Sequence, residues 1–419
     1  MLFRDIIGKI NNKFLVYGLG QAFNLVTPVI IAPYLIFVCN LDGFGKIGIG
    51  FAFALFLILI VDYGFDIRGI KKISESRNNR QQLQYELVNT LYTKFILFII
   101  AAIIGILCVI TIPYFRDEFI LFLFSLTIVF AQVFNPVWFL QGLEDFYASS
   151  ILNASSKVIY VLFIFTSIHK AEDYVNVNLF LGLSSLLTNI VGLIYVFKRN
   201  NFKLLPVNFT LIVQTLKNDF SLCTSQLLLS VRQLSPFFIV GYFFGYNLAG
   251  QYKIIDQIIS LYRTFSQVLL RFFYPQLCFR LSANKREALL YWKKYTTLLL
   301  CGVLLSTAIL FFLTEEVLVF FKIESLIRQH LKIIFQMALI IPVTMALSLP
   351  LEQLMFGLNN NRLYFRIIVF VTFFNLTTIL LFSKFFNLSG IIASIFLSEI
   401  VFIYLYYQLA FKKIASNEN

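Results

Sequence analysis

Long apolar runs recur along the whole chain, and short polar segments separate them. Each run is roughly 18 to 25 residues long, the length at which a helix crosses about 30 Å of hydrocarbon. Strands of a membrane barrel would instead alternate apolar and polar residues. The pattern therefore predicts an all-α integral membrane protein with about twelve transmembrane helices. We place them at roughly 14–36, 46–65, 87–110, 119–140, 151–168, 177–197, 220–243, 251–274, 295–313, 331–356, 365–383 and 389–410.

Proline and glycine occur at matching places in the two halves of this pattern. Pro28 lies in the first span and Pro236 in the seventh, and the fourth and tenth spans end in similar segments, 136–143 and 350–358. Chance agreement is the alternative, because both residue types are common in membrane helices. Since six spans separate the copies, the copies would enter the membrane in the same direction. The expected organisation is two six-helix bundles related as parallel repeats, 1–205 and 206–419.

Composition and charge support a membrane protein and indicate its orientation. Hydrophobic residues make up 59% of the 419 positions and charged residues only 13%, which is unlike a soluble domain. Most of the 34 lysines and arginines fall in alternate loops, so that side is expected to be cytoplasmic and to hold both termini. The net charge of +13 follows from this sorting and gives no reason to expect nucleic acid. The five cysteines and two histidines have no metal-site spacing.

Two arginines lie near the middle of apolar spans, Arg232 in the seventh and Arg263 in the eighth. A guanidinium at that depth costs about 2.5 to 3.5 kcal/mol on insertion scales, so a hydrated interior is expected around it. At 3.6 residues per turn, polar residues form one stripe on each of three spans, and such stripes can enclose a hydrated cleft between bundles. The stripes are Tyr17, Gln21, Asn24 and Pro28; Ser221, Ser225, Arg232 and Pro236; and Asp256, Ser260, Arg263 and Gln267, with Arg271 slightly off the last line.

The in-span cations allow two interpretations. Each arginine could be structural and paired with a buried carboxylate; the candidates are Asp62, Asp256, Glu352 and Glu399. The cations outnumber carboxylates of similar depth, which predicts a surplus of positive charge and an anionic ligand. The planar fork of arginine suits phosphate. Lys94 and Lys157 could line an inward-facing vestibule or extend to the lipid headgroups.

No Gly-x-x-x-x-Gly-Lys-Ser/Thr segment occurs, so the chain encodes no ATPase of that type. Paired carboxylates and metal-ligand spacing are also missing from the predicted membrane interfaces, which disfavours a membrane-embedded glycan polymerase. An enzyme is therefore not expected.

Three segments resemble the Wzx-type polysaccharide flippases of the multidrug/oligosaccharidyl-lipid/polysaccharide exporter superfamily. They are Gly43-Phe44-Gly45, Asp62-Tyr63-Gly64-Phe65 with Arg68-Gly69, and Asn135-Pro136-Val137-Trp138-Phe139-Leu140-Gln141-Gly142-Leu143-Glu144. The twelve-span layout extends the resemblance over essentially the whole chain. Asn135 departs from the family pattern, which usually has glutamine before Pro-x-Trp.

The resemblance implies two six-helix bundles around a V-shaped cavity in a bacterial inner-membrane protein. It also implies transport of an undecaprenyl-diphosphate-linked oligosaccharide from the cytoplasmic to the periplasmic leaflet, without a cofactor. Membrane lipids, a polysaccharide polymerase and glycosyltransferases are the implied partners.

H⁺ or Na⁺ coupling is left open, with Asp256 and Glu399 as candidate carboxylates. The candidate substrate-binding residues are Arg232, Arg263, Arg271, Lys94, Lys157, Gln21 and Asn24. A cation-coupled multidrug exporter of the same superfamily and, less favoured, a glycan polymerase are the alternatives.

Overall fold

The computed structural model describes residues 12–207, 209–358 and 361–415. Over these residues the chain is almost entirely helical and contains no strand. Fourteen α-helices and one short 3₁₀ helix, Ala171–Asp173, follow one another. The α-helices are α1 Asn12–Asp62, α2 Phe65–Glu75, α3 Arg80–Thr111, α4 Pro113–Arg116, α5 Phe119–Val133, α6 Val137–Gly142, α7 Phe146–Ser167, α8 Tyr174–Asn200, α9 Phe209–Ala283, α10 Lys285–Phe312, α11 Thr314–Phe320, α12 Ser325–Ala338, α13 Ile340–Gly357 and α14 Asn361–Ala415.

Within the described ranges, nine helical segments are long and apolar enough to cross a membrane. Three of them, in α1, α9 and α14, run for 41, 46 and 47 residues, roughly twice the length that one crossing needs. Each of these contains one residue with non-helical backbone angles: Asn40, Gly245 and Asn387. These breaks lie in gaps that the sequence pattern leaves between predicted spans. If each arm crosses once, nine segments give twelve crossings; the count of twelve stays a prediction.

Contacts across two of the breaks show that the chain reverses there. Arg232 and Arg263 line one cavity although an unbroken helix would place residues 31 positions apart about 46 Å from each other. The amide of Asn375 likewise donates to the hydroxyl of Ser398, 3.1 Å away, across the break at Asn387. The arms of α9 and of α14 therefore fold back as helical hairpins.

The chain forms two compact units, the first ending at Leu227 and the second beginning at Leu228. This boundary lies inside α9, later than the predicted division between 205 and 206. The reason is that the first turns of α9 pack on the first unit. Asp219 accepts a hydrogen bond from Arg68 of α2, and the amide of Asn89 in α3 lies 3.4 Å from the hydroxyl of Thr215. The bundle assignment by sequence halves otherwise stays a prediction.

Two of the three segments that carry the family resemblance pack α2 against α6 in the first unit. A Cβ atom on Gly69 would lie 2.6 Å from the indole of Trp138, and one on Gly142 would lie 2.6 Å from Ile73. Arg77 donates from Nε to the carbonyl of Gly142 at 2.8 Å. These residues therefore set how closely two helices approach, which is a role in the fold.

Candidate anion-binding cavity

A polar cavity lies within the second unit, beside the hairpin of α9. Its volume is about 80 Å³, enough for several water molecules and well below the roughly 300 Å³ of the smallest ligand pockets. Both arms of α9 reach it, together with α13 and α14. The lining residues are Leu229, Arg232, Gln233, Arg263, Gln267, Met345, Ser348, Leu349, Glu352, Glu399, Phe402 and Tyr406.

Arg232 is held on the cavity wall by two groups. Its Nη1 donates to Glu399 Oε1 at 2.9 Å, and the guanidinium carbon lies 4.5 Å from the centre of the Phe402 ring. Glu399 Oε2 accepts a second hydrogen bond from Ser348 at 2.6 Å, so both carboxylate oxygens are occupied. The Nε of Arg232 is buried and has no hydrogen-bond partner among the described residues. This arginine is therefore structural in part, while some of its donors remain available.

Arg263 differs from Arg232 because no described carboxylate lies within 4.0 Å of its guanidinium. It shares the cavity wall with Gln267, one helical turn away. Earlier on the same arm, the hydroxyl of Ser260 lies 3.4 Å from Asp256 Oδ2. Asp256 is not among the cavity-lining residues. Arg263 thus forms no close ion pair among the described residues, although Asp256 acts on its charge electrostatically from the same helix arm.

Glu352 brings a second carboxylate to the cavity, and aromatic residues support it. The hydroxyl of Tyr364 donates to Glu352 Oε1 at 2.6 Å, and the ring of Tyr364 stacks on that of Tyr406 with centroids 6.3 Å apart. Two arginines and two glutamates therefore line the cavity. The predicted surplus of positive charge is wrong for this cavity, because Glu352 reaches it and Glu399 is drawn in as the partner of Arg232.

Lys94 belongs to a separate, closed network in the first unit. Its side chain is only 1% exposed, and Nζ donates to Asp62 Oδ1 at 2.7 Å. The amide of Gln132 donates to both oxygens of Asp62 at 3.0 and 2.8 Å, and the amide of Asn135 donates to Gln132 at 3.1 Å. Neither the vestibule nor the headgroup interpretation describes this lysine, because its charge is already matched inside the helix bundle.

The other candidate residues do not gather at the cavity. Lys157 lies in the first unit, on the wall of a different, largely apolar cavity. Arg271 is exposed on α9, outside both cavities. Asn24 is half-buried on α1 and lines neither cavity. The side chains of Gln21, Tyr17, Ser221 and Ser225 lie outside the described side chains.

Sequence reasoning missed Ser348, Phe402 and Tyr406. A signal for two of them was present, because Glu399, Phe402 and Tyr406 are three and four residues apart and so share a helix face. Ser348 carries no comparable signal, since its contact with Glu399 joins residues 51 positions apart on different helices.

Sequence comparison matches the chain to one protein family and to two named relatives. A family model described as "Polysaccharide biosynthesis protein" matches residues 10–277. Two curated relatives, each named "Putative O-antigen transporter", come from Escherichia coli (strain K12) and Shigella dysenteriae. The first is 18% identical over 67% of this chain and 67% of its own length. The second is 24% identical over 62% of this chain, and the match spans 57% of the relative's length.

Solved transporter structures share the fold at low sequence identity. An inward-facing multidrug resistance MATE family transporter of the MOP superfamily aligns with a TM-score of 0.75 and 14% identity, over 95% of both chains. A MOP superfamily transporter from Pyrococcus furiosus aligns with a TM-score of 0.61 and 14% identity, over 97% of this chain and 95% of its own. The similar proteins are named as transporters and not as enzymes. The chain belongs to the polysaccharide biosynthesis protein family.

Proposed function

We propose that the protein is a flippase that moves a lipid-linked oligosaccharide, joined through a diphosphate to undecaprenol, from the cytoplasmic to the periplasmic leaflet by alternating access. The names of the two O-antigen transporters support a polysaccharide-related cargo. The observation that carries the site is Arg263, a guanidinium in an apolar span that has no described carboxylate within 4.0 Å. An anion that neutralised it would lower the cost of holding the charge at that depth.

The diphosphate is the part of such a cargo that an arginine recognises best. A guanidinium can make two parallel hydrogen bonds to phosphate oxygens, and these bonds strengthen where water is scarce. Arg263 would provide the first contact, and Arg232 would add the Nε donor that has no described partner. A cavity of about 80 Å³ cannot enclose an oligosaccharide, so the sugars would extend beyond it. We further propose that the protein lies in the inner membrane with both termini in the cytoplasm. Its proposed partners are membrane lipids, a polysaccharide polymerase and glycosyltransferases.

A cation-coupled multidrug exporter is the second candidate, and the balanced charge of the cavity favours it. Glu352 and Glu399 could hold H⁺, Na⁺ or a cationic drug, because carboxylates inside the membrane commonly mark ion pathways. In a flippase, the diphosphate of the cargo would have to compete with Glu399 for Arg232. Coupling through Glu399 or Asp256 stays a prediction for either function.

Deleting the gene from its native host distinguishes the two candidates. A flippase predicts that the lipid-linked oligosaccharide accumulates in the cytoplasmic leaflet and that surface glycan is lost. Plasmid-borne wild-type protein should restore surface glycan. Normal surface glycan with increased sensitivity to cationic drugs would contradict the flippase and support the exporter.

A further inference from the structure

The cavity that contains Lys157 has mostly hydrocarbon walls, unlike the polar cavity that contains Arg232 and Arg263. Its volume is about 450 Å³, and it lies in the first unit between α1 and α7. Apart from Lys157 and the hydroxyl of Thr27, every lining side chain is a hydrocarbon. The lining residues are Ala22, Phe23, Val26, Thr27, Ile30, Lys157, Val158, Val161 and Leu162. A volume within the range of about 300 to 1,000 Å³ is typical of ligand sites.

Lys157 lies deep along α7. It is eleven residues after Phe146, where the helix begins, which corresponds to about 16 Å along the helix axis. No described carboxylate lies within 4.0 Å of its ammonium group. The cavity therefore combines one ammonium donor with hydrocarbon walls.

We propose that this cavity binds the phosphate end of a polyisoprenyl lipid, with the phosphate at Lys157 and the first isoprene units along α1 and α7. This inference rests on the proposed flippase function and extends it to a second contact for the lipid. Charge complementarity selects an anion, and the hydrocarbon walls select one that carries an apolar chain. A soluble sugar phosphate would leave those walls unfilled, and a neutral lipid would leave the ammonium without a partner.

Binding of undecaprenyl phosphate to the purified full-length protein, measured by native mass spectrometry or a fluorescence titration, tests this proposal. We expect Lys157→Met to weaken binding by about tenfold to a hundredfold, because a charge-assisted hydrogen bond is lost, and Lys157→Arg to retain most of it. Lys71→Met, which removes an exposed lysine of α2 with a 76% exposed side chain, should have no effect. Undecaprenol should bind to wild type and Lys157→Met equally weakly.

A second variant examines the hydrocarbon walls without removing the charge. Val158 is 50% exposed within the cavity, so Val158→Trp should fill the space and weaken binding with little effect on packing. Val191→Trp is the matched control, because Val191 is 63% exposed on α8 and lines neither cavity. Unchanged binding in either Lys157→Met or Val158→Trp would overturn the proposal. Phosphatidylglycerol that competes as well as undecaprenyl phosphate, and through Lys157, would also overturn it, because the site would then be a general anionic-lipid site.

The transport experiment and this binding experiment can fail separately. Lost surface glycan in the deletion strain together with Lys157-independent binding would leave the flippase in place and remove this lipid site. Normal surface glycan in the deletion strain would remove the flippase itself, whatever the titration shows.

Discussion

At the scale of single residues, the in-span cations divide by whether the fold supplies a counter-charge. Lys94 and Arg232 each bind a carboxylate, whereas Arg263 and Lys157 have none within 4.0 Å among the described residues. Sequence alone identified Glu399 only as one of several candidate partners for an arginine. Arg232 and Glu399 are 167 positions apart, and no local spacing relates residues on different helices. The charges were therefore predictable, and their pairing was not.

The network around Lys94 gives the first prediction. Lys94→Met should lower the free energy of unfolding by about 3 to 5 kcal/mol, because it leaves Asp62 buried without its cation. Lys94→Met combined with Asp62→Asn should recover most of that loss, since the buried charge is removed. Thermal unfolding in detergent measures both variants. A Lys94→Met protein that is as stable as wild type but inactive in transport would show that Lys94 acts on the cargo.

At the scale of helices, apolar run length predicted spans whose intervening gaps coincide with the three breaks in the long helices. The breaks at Asn40, Gly245 and Asn387 fall between predicted spans because a short polar or glycine-containing segment interrupts the apolar pattern there. The sequence did not show that helix continues almost up to each break. The division of the sequence between 205 and 206 stays a prediction, and the packing of Asp219 on α2 is a tertiary contact that no local pattern shows.

The reversal at Gly245 gives the second prediction. Its backbone angles, φ 85° and ψ 171°, belong to a region that essentially only glycine adopts. Gly245→Ala should therefore cost about 1 to 3 kcal/mol of stability, although no neighbouring atom lies within 4 Å of the added Cβ.

Gly302→Ala is the matched control for this change. Gly302 is also free of neighbours within 4 Å, but it lies inside α10 with no positive φ. We expect this variant to be neutral or slightly stabilising, because alanine is the better helix former. Equal stability of the two variants in thermal unfolding would show that the hairpin does not require glycine at position 245.

At the scale of the whole molecule, the described residues form an all-helical fold whose long apolar helices are able to cross a membrane, and solved transporter structures share that fold. The distribution of lysine and arginine predicts that both termini are cytoplasmic. A green fluorescent protein fused after Asn419 should therefore fluoresce, and alkaline phosphatase fused at the same place should be inactive. The opposite result would mean an odd number of crossings or an external N-terminus.

The claim that an arginine in the second unit holds the cargo's diphosphate is tested most directly at Arg263. The measurement is the leaflet distribution of lipid-linked oligosaccharide in cells that express Arg263→Gln, with Arg286→Gln, an exposed arginine of α10, as control. We predict that Arg263→Gln reaches the membrane at a normal level but leaves the lipid-linked oligosaccharide in the cytoplasmic leaflet, while Arg286→Gln transports normally. Wild-type transport by Arg263→Gln would contradict the account.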